Sequence, residues 1–214
     1  MPQIFASIGT NINRKKHLSL ALSQLHQRFG PLSLSPVYRS EAVGFEGDDF
    51  YNMVAGFESD DSIEIINQCF KSIEKQAGRD HTSPKFSDRT LDIDLLNYGD
   101  HICQTPIVLP RDEITYHAFV LLPLCDVAPH WIHPVKRVSI KQLWQNFDKP
   151  GQQLEKINDP IDMTVFTQAV SNNHLSDQTN SNNTESNNSE STNKEKINKE
   201  SGNKEPINKE PQYD

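Results

Sequence analysis

The sequence predicts an α+β fold, and the order of its apolar patterns carries that prediction. Extended runs and amphipathic segments follow one another as β-α-β-β-α-β, and a C-terminal extension comes after them. An alternating run near the N-terminus and an amphipathic helix in the middle of the chain are the clearest of these elements. Because this order is typical of a ferredoxin-like sheet, we predict such a sheet with its helices on one face.

The first strand and the first helix lie between residues 3 and 30. The run QIFASI, from Gln3 to Ile8, places alternate apolar residues on one face and predicts a buried strand. Leucines then recur at helical spacing after Asn13, a candidate N-cap, and continue to Phe29. Gly30 ends this pattern, so we predict a helix between Asn13 and Phe29.

The middle of the sequence contributes two extended segments and the clearest helix. Residues Leu32 to Val43 favour β structure, with Pro36 indicating a sheet edge, and Phe50 to Phe57 form a second extended run. Ser62 then begins an amphipathic helix, which Gly78 closes. Its apolar stripe consists of Ile63, Ile66, Phe70 and Ile73.

The remaining segments of the domain are shorter. Residues Arg79 to Asp88 carry no periodicity and are interpreted as a mobile loop, and Thr90 to Tyr98 alternates and predicts a central strand. Ala118 to Val127 is strongly apolar and compact, and Ser139 to Phe147 predicts a short final helix.

Composition changes sharply near residue 171. Beyond that point Asn, Ser, Lys, Glu and Asp dominate, and a five-residue NKE repeat runs from Asn193. Such a segment buries too little apolar surface to offset the entropy of ordering it. We therefore predict a folded domain over residues 1–165 and a disordered low-complexity tail over residues 171–214.

Charge and cysteine content limit the possible partners. The 214 residues carry a formal net charge of −8 and no dense block of Lys and Arg, so neither nucleic acid nor an anionic membrane is expected to bind. Three widely spaced cysteines favour a reducing compartment. No apolar run approaches the roughly 18 residues that span a bilayer. We expect a cytoplasmic monomer that binds small molecules.

Asp92 and Asp94 are the first candidate site. Residues i and i+2 of a strand point the same way, so both carboxylates could bracket one or two hard cations such as Mg²⁺. Arg79 and Arg89 lie close by in sequence, and guanidinium groups bind phosphate oxygens. A solvated pair of acids with ordinary ion pairs is the alternative, which this pattern alone leaves open.

Four blocks of the sequence resemble the 6-hydroxymethyl-7,8-dihydropterin pyrophosphokinases of folate biosynthesis. They are SIGTN, SPVYRSEAVGFEGDDFYN, IEKQAGRDHTSPKFSDRTLDIDLLNYG and FVLLPLCDVAP, in the family's order, and the third is the most specific. The resemblance implies transfer of diphosphate from ATP to a dihydropterin hydroxymethyl group, with release of AMP and two Mg²⁺ ions bound with ATP. The absence of a P-loop and of a Rossmann glycine pattern agrees with a different kind of nucleotide site.

The same resemblance implies roles at the nucleotide end of the site. Asp92 and Asp94 would contact both Mg²⁺ ions, and Arg79 and Arg89 would stabilise charge on the transferred group. The nucleotide site would also include Lys71, Glu74 and Ile93.

At the pterin end, the resemblance implies that Phe50 and Phe119 sandwich the ring and that Asn52 hydrogen-bonds it. The remaining lining residues would be Ser40, Val43 and Gly44. Each phenylalanine could instead be an ordinary core residue, which is the commoner fate of this side chain.

Two positions depart from the family's pattern. The family has His after a proline and Arg ahead of the apolar block, whereas this chain has Arg111 and His117, so the two residue types have traded places. Both are implied to contact ATP phosphates, Arg111 with a permanent charge and His117 as a neutral or titratable donor. The exchange leaves alternatives open: a degenerate paralogue that binds pterin or nucleotide without efficient catalysis, or an enzyme for another pterin.

Overall fold

The computed structural model describes residues 1–44, 46–79, 90–158 and 160–168. Its strands are β1 (Gln3–Thr10), β2 (Ser33–Leu34), β3 (Val37–Ser40), β4 (Phe50–Glu58), β5 (Asp92–Leu95) and β6 (Glu155–Ile157). Its helices are α1 (Arg14–Phe29), α2 (Ile63–Gln76), α3 (Ala118–Val127) and α4 (Ile140–Gln145), with 3₁₀ turns over Asp112–Thr115 and Thr164–Phe166. The predicted mobile loop after Arg79 and the predicted tail from residue 171 lie outside the described residues.

The strands of the described chain form one antiparallel sheet. Their hydrogen-bonded order is β5-β1-β4-β3-β6, and β2 pairs with β4 beside this path. Because β1 lies between β4 and β5, Ser7 faces Val54 on one side and Asp94 on the other. The prediction of an α+β fold is confirmed in its coarser form, a mixture of helices with an antiparallel sheet.

Different helices bury the two faces of the sheet. Ile4, Ala6 and Ile8 of β1 pack with the leucines of α1 and the apolar stripe of α2. Phe5, on the opposite face, packs with apolar residues of α3 and α4 in a second core. The prediction that the helices lie on one face holds for α1 and α2 and is wrong for α3 and α4, which cover the other face. The segment that forms α3 is apolar on almost every side, so its helical period could not be read from the sequence.

The two helices predicted from apolar periodicity are confirmed. α1 begins after Asn13, whose backbone is left-handed (φ 46°) and whose side chain makes no capping hydrogen bond. α2 begins after Ser62, whose hydroxyl accepts a hydrogen bond from Ile65 N. The predicted final helix is confirmed as α4, and Ser139 caps it. None of the helices in the described part of the chain is long and apolar enough to cross a membrane.

Two predicted extended segments are shorter in the structure because side chains take the place of backbone partners. Asn97 Oδ1 accepts a hydrogen bond from Phe5 N at 2.7 Å, just beyond the end of β5 at Leu95. Ser35 Oγ accepts from Val54 N at 2.9 Å, between β2 and β3. These hydrogen bonds satisfy the N–H groups of Phe5 and Val54 where the ladders end, while Leu96 N and Ser35 N still donate to Phe5 O and Val54 O.

Candidate active site

A cavity of about 550 Å³ opens where β1, β4 and β5 meet the start of α3. Residues singled out from the sequence supply most of its lining: Ser40, Val43, Phe50, Asn52, Lys71, Arg79, Asp92, Asp94, Arg111, His117 and Phe119. Gly44, Glu74 and Ile93 are not part of the lining, and Arg89 lies outside the described residues. The fold therefore brings residues from both ends of the predicted site into one cavity.

Asp92 and Asp94 project from β5 into the cavity, whereas Ile93 between them is fully buried. The Asp92 side chain is 19% exposed and that of Asp94 is 44% exposed. Loss of water around Asp94 and the negative charge of Asp92 raise the pKa of Asp94 to about 6, although Arg111 and Lys71 oppose the rise. Two carboxylates that repel each other in this way are stabilised by any cation bound between them.

Glu74 lies outside the cavity lining and binds the two cationic side chains, Lys71 and Arg79, that line it. Its fully buried carboxylate accepts hydrogen bonds from Lys71 Nζ at 2.9 and 3.0 Å, from Arg79 Nη1 at 2.6 Å and from Ile93 N at 2.8 Å. Arg79 Nη1 also pairs with Asp92. Because its donors come from α2, from the residues after it and from β5, Glu74 ties the helix to the strand that bears the two aspartates.

Arg111 approaches the aspartates from another direction. Its backbone N donates to Leu96 O at 2.8 Å, and this hydrogen bond fixes the main chain of Arg111 beside the residue that follows β5. Arg111 Nη2 lies 3.8 Å from Asp94 Oδ1 and donates to Glu113 Oε1 at 2.8 Å. Glu113 also lines the cavity. The sequence provides no indication of a role for Glu113, because it follows other charged residues in a segment without periodicity.

His117 belongs to a column of aromatic rings at the cavity wall. Its ring stacks on Phe119 with 4.5 Å between centroids and an interplanar angle of 25°, and Tyr116 meets it edge-on, also at 4.5 Å. Burial lowers the pKa of His117, although Glu113 partly offsets this. The ring is therefore neutral near pH 7. Its buried Nδ1 has no hydrogen-bond partner in the described part of the chain.

Another part of the cavity lining combines an amide with aromatic surface. Asn52 is only 4% exposed, and its Nδ2 donates to Ser40 Oγ at 3.0 Å. Phe50, two residues earlier on β4, lines the same cavity. A buried amide with a fixed orientation beside an aromatic ring can hydrogen-bond the edge of a flat heterocycle while the ring covers its face.

Ser7 and Gly9 of β1 also line the cavity and were not predicted. They share the face of β1 that is opposite to Ile4, so the two-residue period of this strand could have indicated them. A Cβ atom at Gly9 would lie 3.4 Å from Asn52 Oδ1 and 4.0 Å from the Phe50 ring. The glycine therefore keeps the space beside the amide open.

Comparison with known proteins assigns a family to these features. The family model for 7,8-dihydro-6-hydroxymethylpterin-pyrophosphokinase (HPPK) matches residues 5–129. A 2-amino-4-hydroxy-6-hydroxymethyldihydropteridine pyrophosphokinase from Porphyromonas gingivalis is 36% identical over 141 residues, covering 63% of this chain and 95% of the relative. Its counterpart from Aquifex aeolicus is 28% identical over 145 residues, covering 66% of this chain and 90% of the relative.

Solved structures give a similar fold. Wild-type HPPK-DHPS from Plasmodium falciparum superposes with a TM-score of 0.52 at 15% sequence identity, over 67% of this chain and 44% of that chain. A triple mutant of the same protein with pteroate gives a TM-score of 0.55 at 14% identity, over 67% and 43% of the two chains. This chain therefore spans less than half of those longer proteins, and at this identity the likeness concerns the fold alone.

Proposed function

Because the chain belongs to the 7,8-dihydro-6-hydroxymethylpterin-pyrophosphokinase family, we propose that it transfers diphosphate from ATP to the hydroxymethyl group of 6-hydroxymethyl-7,8-dihydropterin and releases AMP. The chain is a pyrophosphokinase of folate biosynthesis. Nothing in these comparisons favours the alternative of a degenerate paralogue. Its cytoplasmic location and monomeric state stay predictions.

One observation carries the proposal: the carboxylate pair, the arginines and the aromatic wall line the same cavity. Asp92 and Asp94 lie on β5, with Arg79 and Arg111 paired to them. A site for phosphate chemistry needs such alternating charge, since the acids hold a metal and the guanidinium groups hold phosphate oxygens. The cavity of about 550 Å³ lies within the usual size range of small-molecule sites.

The transfer reaction needs positioning and charge neutralisation more than it needs a covalent nucleophile. The hydroxymethyl oxygen attacks the β-phosphorus of ATP, and the bond from that phosphorus to the oxygen bridging to the α-phosphate breaks. AMP leaves with the bonding electrons, and the hydroxyl proton passes to solvent or a nearby base. Arg79 and Arg111 would stabilise the negative charge that spreads over the transferred group.

Asp92 and Asp94 fit a magnesium site in the chemistry of their donors. No group of three or more His, Cys, Asp or Glu side chains that could hold a metal occurs among the residues that the structure describes. Mg²⁺ that enters with ATP needs only one or two carboxylates, because phosphate oxygens and water complete its shell. Because the negative charge of Asp92 lies close to Asp94, bound Mg²⁺ would neutralise the charge that the two side chains place together. Mg²⁺ would supply charge neutralisation at the phosphates.

The amide and aromatic end of the cavity is our proposed pterin site. Asn52 would hydrogen-bond the edge of the heterocycle, with its orientation fixed by the hydrogen bond to Ser40. Phe50 and Phe119 would cover the two faces of the ring, and Val43, which is 47% exposed, would close over it. The implied role of Gly44 stays a prediction, since it lies outside the cavity lining.

We further propose that the exchanged residues have different tasks. Arg111 lies beside Asp94 and would contact phosphate oxygens, as the sequence implies. His117 is stacked on Phe119 and neutral, so it would extend the aromatic wall of the pterin end instead of adding a charge. Lys71 lines the cavity and would bind the nucleotide. Glu74 and Ile93 are not part of the lining and would support the residues that are.

The ferredoxin-like topology is also proposed here. α1 connects β1 to β3 with β4 lying between them, and α2 connects β4 to β5 with β1 lying between them. Two such split β-α-β units are the defining arrangement of that sheet. β2, β6, α3 and α4 would then be additions to it.

An assay for AMP tests the proposal. Purified protein with Mg²⁺, ATP and 6-hydroxymethyl-7,8-dihydropterin should form AMP and the pterin diphosphate. Asp94→Asn should reduce the rate by about 100-fold or more, since an acid that holds the metal is lost. Asp60→Asn is the matched control, because Asp60 is a 74% exposed acid that pairs only weakly with the N-terminus at 3.8 Å. Equal rates in the Asp94→Asn and Asp60→Asn variants would refute the site.

A further inference from the structure

We propose that Glu113 is the positioning residue of the phosphate-binding arginine Arg111, an inference that rests on the proposed function. Glu113 holds the Arg111 guanidinium at the cavity even when Asp94 binds another group and no longer pairs with Arg111. Arg111 Nη2 donates to Glu113 Oε1 at 2.8 Å, whereas its distance to Asp94 Oδ1 is 3.8 Å. The nearer acid is therefore Glu113, although Asp94 is the candidate metal ligand.

The environment of Arg111 makes this hydrogen bond important. Arg111 and Glu113 are 29% and 30% exposed, so their pairing is partly screened from solvent. Arg111 Nε is buried and has no hydrogen-bond partner in the described part of the chain. Without Glu113, the guanidinium would keep only the longer ion pair among its contacts with the described residues. A free arginine side chain has up to about 2 kcal/mol of rotamer entropy to lose when a ligand orders it.

A second arginine in the cavity has the same arrangement. Arg79 pairs with Asp92 and also with Glu74, which is fully buried and is not part of the cavity lining. Each arginine therefore contacts one aspartate of the candidate metal pair and one glutamate outside that pair. With Mg²⁺ and ATP bound at the aspartates, the glutamates would remain as partners that keep both guanidinium groups in reach of the phosphates.

The chain geometry explains how Glu113 reaches Arg111. Arg111 is extended (φ −63°, ψ 134°) and is followed by the 3₁₀ turn Asp112–Thr115. The turn directs the side chain of Glu113 back toward that of Arg111. Asp112, between them in sequence, is exposed and is not part of the cavity lining. Asp112 therefore provides a neighbouring acid with no contact to the guanidinium, which is the control that a test needs.

Binding of α,β-methylene-ATP with Mg²⁺, measured by calorimetry, tests the role without turnover. Glu113→Ala should weaken binding by about 5- to 20-fold, less than the roughly 10- to 150-fold expected on loss of the charged hydrogen bonds in Arg111→Ala. Glu113→Gln, whose amide oxygen still accepts a hydrogen bond, should lose less than Glu113→Ala. Asp112→Ala should bind as wild type does. The unfolding temperature of each variant is measured alongside to show that it is folded.

The decisive comparison is Glu113→Ala in an Arg111→Ala background. If Glu113 acts through Arg111, the second substitution adds no further loss of binding; an equal loss in both backgrounds overturns the proposal. Tighter binding by Glu113→Ala also overturns it, since Glu113 would then only repel phosphate. AMP formation by the wild type is a separate readout: its failure counts against the proposed function, while the binding cycle still decides the role of Glu113. A wild type that does not bind the analogue overturns both.

Discussion

At the residue scale, Arg111 and His117 show how two exchanged side chains can occupy one cavity with different chemistry. Arg111 is held by Glu113 beside Asp94, whereas His117 is held by its stacking on Phe119. A permanent cation is suited to phosphate, and a neutral ring is suited to a flat heterocycle. Under the proposed function, the exchange would move aromatic surface toward the proposed pterin site and place the permanent charge at Arg111.

Substitution of His117 separates stacking from charge. His117→Phe keeps a flat ring against Phe119, so the KM for the pterin should stay within about twofold of wild type. His117→Ala loses that ring contact, worth about 0.5–1.5 kcal/mol, and should raise the same KM by roughly two- to twelvefold. Steady-state kinetics at pH 7.5 measure both values. A large increase in the KM for ATP in His117→Phe, with the pterin KM unchanged, would instead show that the imidazole serves the phosphates.

Single residues differed in how far the sequence could predict them. Asp92 and Asp94 could be paired from strand periodicity alone, and in the structure both line the cavity. The presence of Phe50 and Phe119 in the lining needed the family resemblance, because a phenylalanine carries no sign of whether it faces a core or a ligand. Glu113 escaped prediction, since its role depends on a 3₁₀ turn that no periodicity marks.

At the scale of elements, α3 depends on a close approach to the sheet that one glycine permits. Gly56 lies on β4, and a Cβ atom there would be 3.2 Å from two ring atoms of Phe5 and 3.3 Å from Val127 Cγ1. Val127 is the last residue of α3. Because Gly56 has no side chain, the end of α3 and the Phe5 ring can both pack directly against the backbone of β4 at this position.

Gly56→Ala should consequently destabilise the domain by about 1–3 kcal/mol, the usual range for overpacking a well-filled core. Urea unfolding followed by circular dichroism measures this change. Ser33→Ala is the control, because Ser33 is the exposed partner of Gly56 on β2. If both variants unfold at the same urea concentration, α3 has room to shift and the close packing is unimportant.

Elements with a strong period were predictable, and elements without one were not. α1 and α2 have distinct polar and apolar faces, so their extents followed from the sequence. α3 is apolar on nearly all sides and contains Pro123, so neither the helix nor its place on the second face could be derived. The end of β5 depends on the Asn97 side chain, whose hydrogen bond to Phe5 N spans 92 residues and leaves no local signal.

At the scale of the whole molecule, a buried histidine links stability to pH. His133 is 3% exposed, and its Nδ1 accepts hydrogen bonds from Val135 N at 3.3 Å and Lys136 N at 3.2 Å. Burial, followed by the charge of Lys136, lowers the pKa of His133, although a backbone hydrogen bond and the charge of Asp112 oppose this. Protonation of Nδ1 would remove both hydrogen bonds and place a charge in the interior.

Because the folded pKa of His133 lies below the unfolded value of about 6.5, the unfolded chain binds more protons as pH falls below 6.5. Stability from this group is thus complete above pH 6.5 and decreases as pH falls toward the folded pKa. The unfolding temperature should drop between pH 7.5 and pH 5.5, and drop less in His133→Asn, whose amide oxygen accepts hydrogen bonds without titrating. His101→Asn, at an exposed histidine, should leave the drop unchanged. An unaltered drop in His133→Asn would assign the pH dependence to other groups.

Contacts near residue 166 join the last described residues to the core of the domain. Phe166 O accepts a hydrogen bond from Leu32 N at 2.9 Å, and its ring lies edge-on to His26 of α1 at 6.2 Å. Ile161, Met163 and Phe166 are partly buried against the core that α1 and α2 share. The boundary predicted at residue 165 stays a prediction. These contacts imply that the 3₁₀ turn at Thr164–Phe166 belongs to the domain.

Two truncations therefore should behave differently. A chain ending at residue 170 should keep the unfolding temperature and the activity of the full chain, because the predicted tail is too polar to bury surface. A chain ending at residue 158 loses three apolar side chains from the core, at about 2–4 kcal/mol in total for partial burial. For a domain of this size that corresponds to a drop of roughly 5–15 °C in the unfolding temperature. Phe166→Ala in the full chain should give part of this drop, and a clear drop on truncation at 170 would show that residues beyond it stabilise the fold.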